Sequence, residues 1–131
     1  KHTKKQAINT TKTIASLTNA FKNYEKALLE NNLAILDGYF WESEFTVRFG
    51  VGENLYGASA IQTYRRQCTP VGAGRKLYET IVTSFGDSFG TVSTEFSDGK
   101  TEDRGRQMQT WVKFPEGWKV VAAHVSITRT A

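Results

Sequence analysis

The sequence predicts an α+β domain in which helices are segregated onto one face of a curved antiparallel sheet. Three observations carry this. Apolar residues recur at helical spacing early in the chain, the second half alternates strand-wise between short turn clusters, and 131 residues with 39% hydrophobic content and sixteen aromatics suffice for one core. A basic leader over residues 1 to 10, expected to be frayed, precedes a single domain spanning 11 to 131.

Ile14, Leu17, Phe21, Tyr24 and Leu28 recur at steps of three and four, so an amphipathic helix is expected from about Thr11 to Glu30. Asn31 and Asn32 suit its end. Asn32 can also cap a second, short helix carrying Leu33, Ile35, Leu36, Tyr39 and Phe40, interrupted by Asp37-Gly38. Phe45, Val47 and Phe49 then alternate with Thr46 and Arg48, the first strand, before the turn Gly50-Val51-Gly52. A third helix is expected over about Ala58 to Gln67, with Ile61, Tyr64 and Cys68 inward and Arg65 and Arg66 pointing elsewhere. Four alternating strands follow, at about Arg75–Ser84, Phe89–Phe96, Gly105–Phe114 and Trp118–Ile127. The turn clusters between them, at Gly86, Gly99 and Gly117, are short enough to make neighbours antiparallel.

The net charge of +4 and a pI near 9.3 invite a nucleic-acid reading, but the distribution argues against it. The first 26 residues carry +5 and the remaining 105 carry −1, so the body is nearly neutral. No RNA-binding aromatic signature or recognition-helix pattern is present, and no membrane association is expected. Cys68 is alone and nothing has the form of a secretion signal, so the expectation is a cytoplasmic protein.

One Cys and two His cannot build a zinc site, and no calcium loop appears. Gly72-Ala73-Gly74 lacks the third glycine of a dinucleotide fingerprint, and there is no Gly-x-Ser-x-Gly elbow. Neither metal nor cofactor is expected. Polar residues that could converge in a cavity under a curved sheet are Tyr24 on the first helix, Arg48 on the first strand, Gln107 and Gln109 beside Trp111, and His124 and Ser126 in phase with Trp118 and Ala122. Glu53 and Asn54 could sit at the cavity mouth, with Trp41 and Tyr56 as walls. Each is also open to an ordinary structural role, an exposed turn position being the commoner one for Glu53 and Asn54, and alternation alone leaves Arg48 either buried or solvated.

Thr46 to Gly57, read as TVRFGVGENLYG, resembles the AtzH-like branch of the SnoaL-like, nuclear transport factor 2-like superfamily, which includes the oxalurate catabolism protein HpxZ. Gly105 to Trp118, Val120 to Ser126 and Phe21 to Glu25 agree, extending the resemblance over about residues 15 to 127. It implies a cone, a strongly curved sheet wrapped around a helical hairpin and a third helix, dimerising through the outer sheet face. It also implies Arg48 inside the cone, Tyr24 and Arg48 as the catalytic pair, and a small hydroxyl residue in the pocket wall where this chain has Met108.

Members are tied to catabolism of small anionic ureido or amide compounds, including hydrolysis of a dicarboxylated urea, often beside amidase genes. The expectation is therefore a hydrolase acting on a C–N bond, without metal, with an amidase as a possible partner. Arg48 would grip a carboxylate, Tyr24 would donate a proton or position water, and Gln107, Gln109 and His124 would orient the substrate. Steroid isomerases and epoxide hydrolases of similar fold need carboxylates, for which Glu53 is the single candidate near the pocket. The alternative is a non-catalytic binding or oligomerisation module, similar to the association domain of calmodulin-dependent kinase.

Overall fold

The computed structural model describes residues 7–129. Helix α1 (Thr11–Glu30) buries Leu17, Ala20, Phe21, Tyr24 and Ala27, the stripe that its apolar spacing demands. It stops at Asn31, whose left-handed φ of 52° turns the chain. The Asn32 side chain then accepts from the Ile35 N–H (3.2 Å) and caps α2 (Leu33–Gly38), as expected. Helix α2 is shorter than the sequence suggests. It ends at Gly38, and Phe40 instead forms a bridge to Val120.

Strand β1 (Val47–Phe49) turns through Gly50–Glu53 into β2 (Asn54–Tyr56), a strand that sequence alternation did not reveal because it is three residues long and half exposed. Gly57, with φ of 90°, begins α3 (Ala58–Gln67). Strands β3 (Lys76–Phe85), β4 (Phe89–Ser97), β5 (Arg104–Phe114) and β6 (Gly117–Thr128) follow as an antiparallel meander. The sheet order is β2-β1-β6-β5-β4-β3, and β1 lies parallel to β6. The architecture is thus the expected α+β one, with six strands rather than five.

Two bulges bend this sheet. In β3 the pairing slips between Tyr78 and Ile81, beside Glu79 at φ 52°, and in β6 Val121 is an extra residue between the pairs Trp111–Val120 and Thr110–Ala122. A bulge adds twist and reverses which face the following residues present. The concave face so formed packs Val92, Trp111, Trp118 and Val120 against Leu17, Phe21, Leu36 and Ile61. Trp118 also donates its indole N–H to Ser16 Oγ (2.8 Å), tying β6 to α1.

The leader expected over residues 1 to 10 falls partly outside the described residues, which begin at Ala7. Within them, Ile8 bridges to Phe85, and Asn9 exchanges bonds with the Ser84 backbone through its N–H (3.0 Å) and its Oδ1 (2.8 Å). No helix among the described residues is long and apolar enough to cross a membrane.

Candidate functional site

A cavity of about 210 Å³ opens between the concave sheet and the helices. Its polar lining comes from Tyr24 of α1, Arg48 of β1, Tyr64 and Arg65 of α3, Arg75 before β3, and Gln107 and Gln109 of β5, with Asn31 and Thr69 at the ends of α1 and α3. Leu28, Phe40, Phe96, Ala123 and Val125 supply apolar wall.

The two faces of β1 differ. Val47 and Phe49 point to the convex side with His124, whereas Arg48 enters the cavity. Its Nη1 donates to Glu53 Oε2 at 2.9 Å, and its guanidinium lies 5.4 Å from the Tyr64 ring centre. Glu53 can fold back onto Arg48 because residue 50 is glycine: a Cβ there would stand 1.7 Å from Glu53 Oε2. Burial acts to raise the Glu53 carboxyl, but hydrogen bonds from Arg48, the Gly52 N–H and the Tyr64 hydroxyl, with the Arg48 charge, hold it below its usual range. Burial and the same bond to Glu53 push the Tyr64 hydroxyl up. The other guanidinium nitrogens of Arg48 bond no described residue, so one edge of the fork stays open to the cavity.

Deeper in, Arg75 makes a two-pronged pair with Glu25 (3.0 and 3.2 Å) while its plane lies 4.3 Å from the Phe96 ring centre. Arg75 Nη2 also donates to Gln107 Oε1 (3.2 Å), and Gln107 Nε2 donates to Glu25 Oε2 (3.3 Å). An arginine only donates and a carboxylate only accepts, so this ring of bonds fixes the amide orientation of Gln107 and occupies both its ends. Gln109 differs. Its Oε1 accepts the Trp111 indole N–H (3.0 Å), which leaves its amide N–H groups free to face the cavity.

Tyr24 is 4% exposed and packs edge-on against Tyr39 and Trp111, with ring centres 6.3 and 6.2 Å away. Its hydroxyl bonds no described residue, although Tyr24 lines the cavity. That group is therefore a donor available to a ligand.

Of the residues expected to form the site, the structure brings Tyr24, Arg48, Gln107 and Gln109 to the cavity and sets Glu53 on Arg48. Four are elsewhere. His124 is exposed on the convex face, 5.9 Å from the Phe49 ring, because the extra residue Val121 breaks the phase that strict alternation gave it with Trp118. Asn54 and Tyr56 pair with Phe49 and Val47, and cross-strand partners share a face, so they too are convex; Leu55, opposite Arg48, faces the core. Trp41 stacks on Phe114 (5.7 Å), outside the cavity lining. Met108 is 62% exposed on the convex face, so its departure from the expected small hydroxyl residue does not touch the cavity wall.

Conversely, Arg65 lines the cavity although helical phase had turned it away, and Glu25, Tyr64 and Arg75 belong to the site without having been singled out for it. Tyr64 was legible as an inward residue of α3. Glu25 and Arg75 are fifty residues apart in sequence, and no periodicity signals their pairing.

A solved structure of a protein of unknown function from Pectobacterium atrosepticum is 48% identical, with 93% of this chain and 95% of that one covered and a TM-score of 0.90. A cystatin-like fold protein from Burkholderia xenovorans is 44% identical over 96% of this chain and 99% of its own, at a TM-score of 0.93. At fold level alone, a putative ketosteroid isomerase from Parabacteroides distasonis is similar, with 13% identity over 83% and 86% of the two chains and a TM-score of 0.69. No curated protein matches. The AtzH-like family profile matches residues 6–131, within the nuclear transport factor 2-like, cystatin-like fold class of these neighbours. The chain belongs to the AtzH-like family.

Proposed function

We propose that the cavity binds a small anionic carboxylated urea or amide and hydrolyses its C–N bond. The observation that supports this reading is the polarity of the unoccupied groups. The open edge of Arg48, the Tyr24 hydroxyl and the Gln109 amide N–H groups can all donate, whereas both nearby carboxylates are already bonded to arginines. Such a lining suits carboxylate and carbonyl oxygens, and it offers no free carboxylate base of the kind an isomerase would use.

In this reading the free edge of Arg48 takes the ligand carboxylate and polarises the adjacent carbonyl. A water oxygen adds to the carbonyl carbon, and the displaced π electrons rest on an oxygen held by Arg48 and Gln109 N–H groups. As the C–N bond breaks, the Tyr24 hydroxyl passes its proton to the departing nitrogen and recovers one from the added water, leaving ammonia and a carboxylic acid, or a carbamic acid from a urea, whose remaining proton passes to the ammonia or to solvent. The test is ammonia release from a ureido dicarboxylate by the purified protein. Release that is lost in Arg48→Lys and Tyr24→Phe supports the reading; tight binding without release overturns hydrolysis in favour of a binding module.

The exposed convex residues Tyr56, Met108 and Ala122, beside the half-buried Phe49, support pairing of two copies through the outer sheet face. Sedimentation of the parent and of Met108→Lys as a dimer and a monomer, respectively, is the expected outcome.

A further inference from the structure

The arginines around the cavity are not equivalent. Arg48 is paired with Glu53 and Arg75 with Glu25, so each of these cations is neutralised locally. Arg65 also lines the cavity but has no carboxylate partner among the described residues. Its neighbour Arg66 turns outward to Asp37, at 2.6 Å, so the successive arginines of α3 have divided into a paired outer one and an unpaired inner one. The Arg65 guanidinium instead rests 5.5 Å from the centre of the Phe40 ring, and that ring in turn lies 6.2 Å from the ring of Tyr24. One aromatic ring thus touches the uncompensated cation on one side and the ring of Tyr24 on another.

We infer that Arg65 is the specificity-determining residue that selects an anion over its neutral isostere in this cavity. The inference rests on the reading of the cavity as a binding site for a small anion. The physical reason is the local charge tally: with two arginines balanced by two glutamates, a ligand anion is attracted by the net +1 that Arg65 supplies, while Arg48 contributes geometry through its open edge. Phe40 holds the guanidinium by its face, which leaves the nitrogens at the edge able to donate.

The experiment compares malonamate with malonamide, which differ in one carboxylate against one amide, by calorimetric titration of the full chain. The parent is expected to prefer malonamate by about tenfold or more, the scale of a charge-assisted bond. Arg65→Gln is expected to lose most of that preference while binding malonamide as the parent does, and Arg65→Lys to keep it. A loss of general packing would weaken both ligands alike, so the ratio is the decisive readout. A parent without preference overturns the anion reading of the cavity itself. A parent with preference that Arg65→Gln retains in full overturns the role of Arg65 and leaves that reading standing.

Discussion

Replacing Glu25 by leucine should be among the most damaging single changes outside the apolar core. The side chains of Glu25 and Arg75 are 10% and 6% exposed, and the substitution leaves the Arg75 guanidinium without its two-pronged acceptor and Gln107 Nε2 without one of its own. Breaking a buried pair from one side costs about 3–5 kcal/mol. Arg75 borders the cavity and keeps some access to water, so the lower end, about 3 kcal/mol, is expected. At roughly 4 °C per kcal/mol for a domain of this size, the melting temperature should fall by about 12 °C.

The double replacement Glu25→Leu with Arg75→Met removes both charges and the need for compensation, and should recover most of that loss. Urea denaturation of the four proteins completes the cycle. A loss under about 1 kcal/mol in Glu25→Leu, or a double variant no better than the single, would refute the view that the cost is an orphaned internal cation.

Other changes test neighbouring features. Gly50→Ala should drive the Glu53 carboxylate off Arg48, seen by NMR titration as a return of the Glu53 carboxyl towards its ordinary pKa. Because that carboxyl is held below its usual range, its contribution to stability is fully present above the unfolded-state value and is lost as pH falls through the folded-state one. Glu53→Gln should therefore flatten part of the acid limb in urea midpoints taken from about pH 6 to about pH 3. Gly90→Ala would set a Cβ 2.4 Å from Leu17 Cδ2 and 2.6 Å from the Thr83 carbonyl oxygen, and since the backbone oxygen cannot swing aside, a loss of about 1–3 kcal/mol is expected by thermal melting.

What sequence reveals here follows the range of each interaction. Helices α1 and α3 are legible to the residue because a 3.6-residue period repeats along twenty and ten positions, and Asn32 announces its own cap. The inward setting of Arg48 is not decided by alternation, since both faces of β1 are plausible cores; the resemblance implied it, and pairing with β2 and β6 accomplishes it. His124 illustrates the limit: its expected place beside Trp118 required an unbroken strand, and a single additional residue suffices to reverse it. The bonded ring of Glu25, Arg75 and Gln107 joins three distant segments, so it becomes visible only when the chain is folded.

The extra residue in β6 also sets a rule for how this chain can change over time. Up to Val120 the even positions of the strand face inward, and from Ala123 onward the odd ones do. Drawing Val121 into the ladder would carry His124 and Ser126 towards the interior and turn Ala123 and Val125 out to solvent, exchanging the chemistry of the two surfaces without altering any residue, whereas deleting Val121 would leave every side chain on its present face and remove only the bulge. Register, at this point of the strand, is as much a heritable trait as side-chain type. Relatives should accept substitutions at residue 121, or its loss, more readily than a further insertion there, whereas the exposed 98–102 turn should accept insertions.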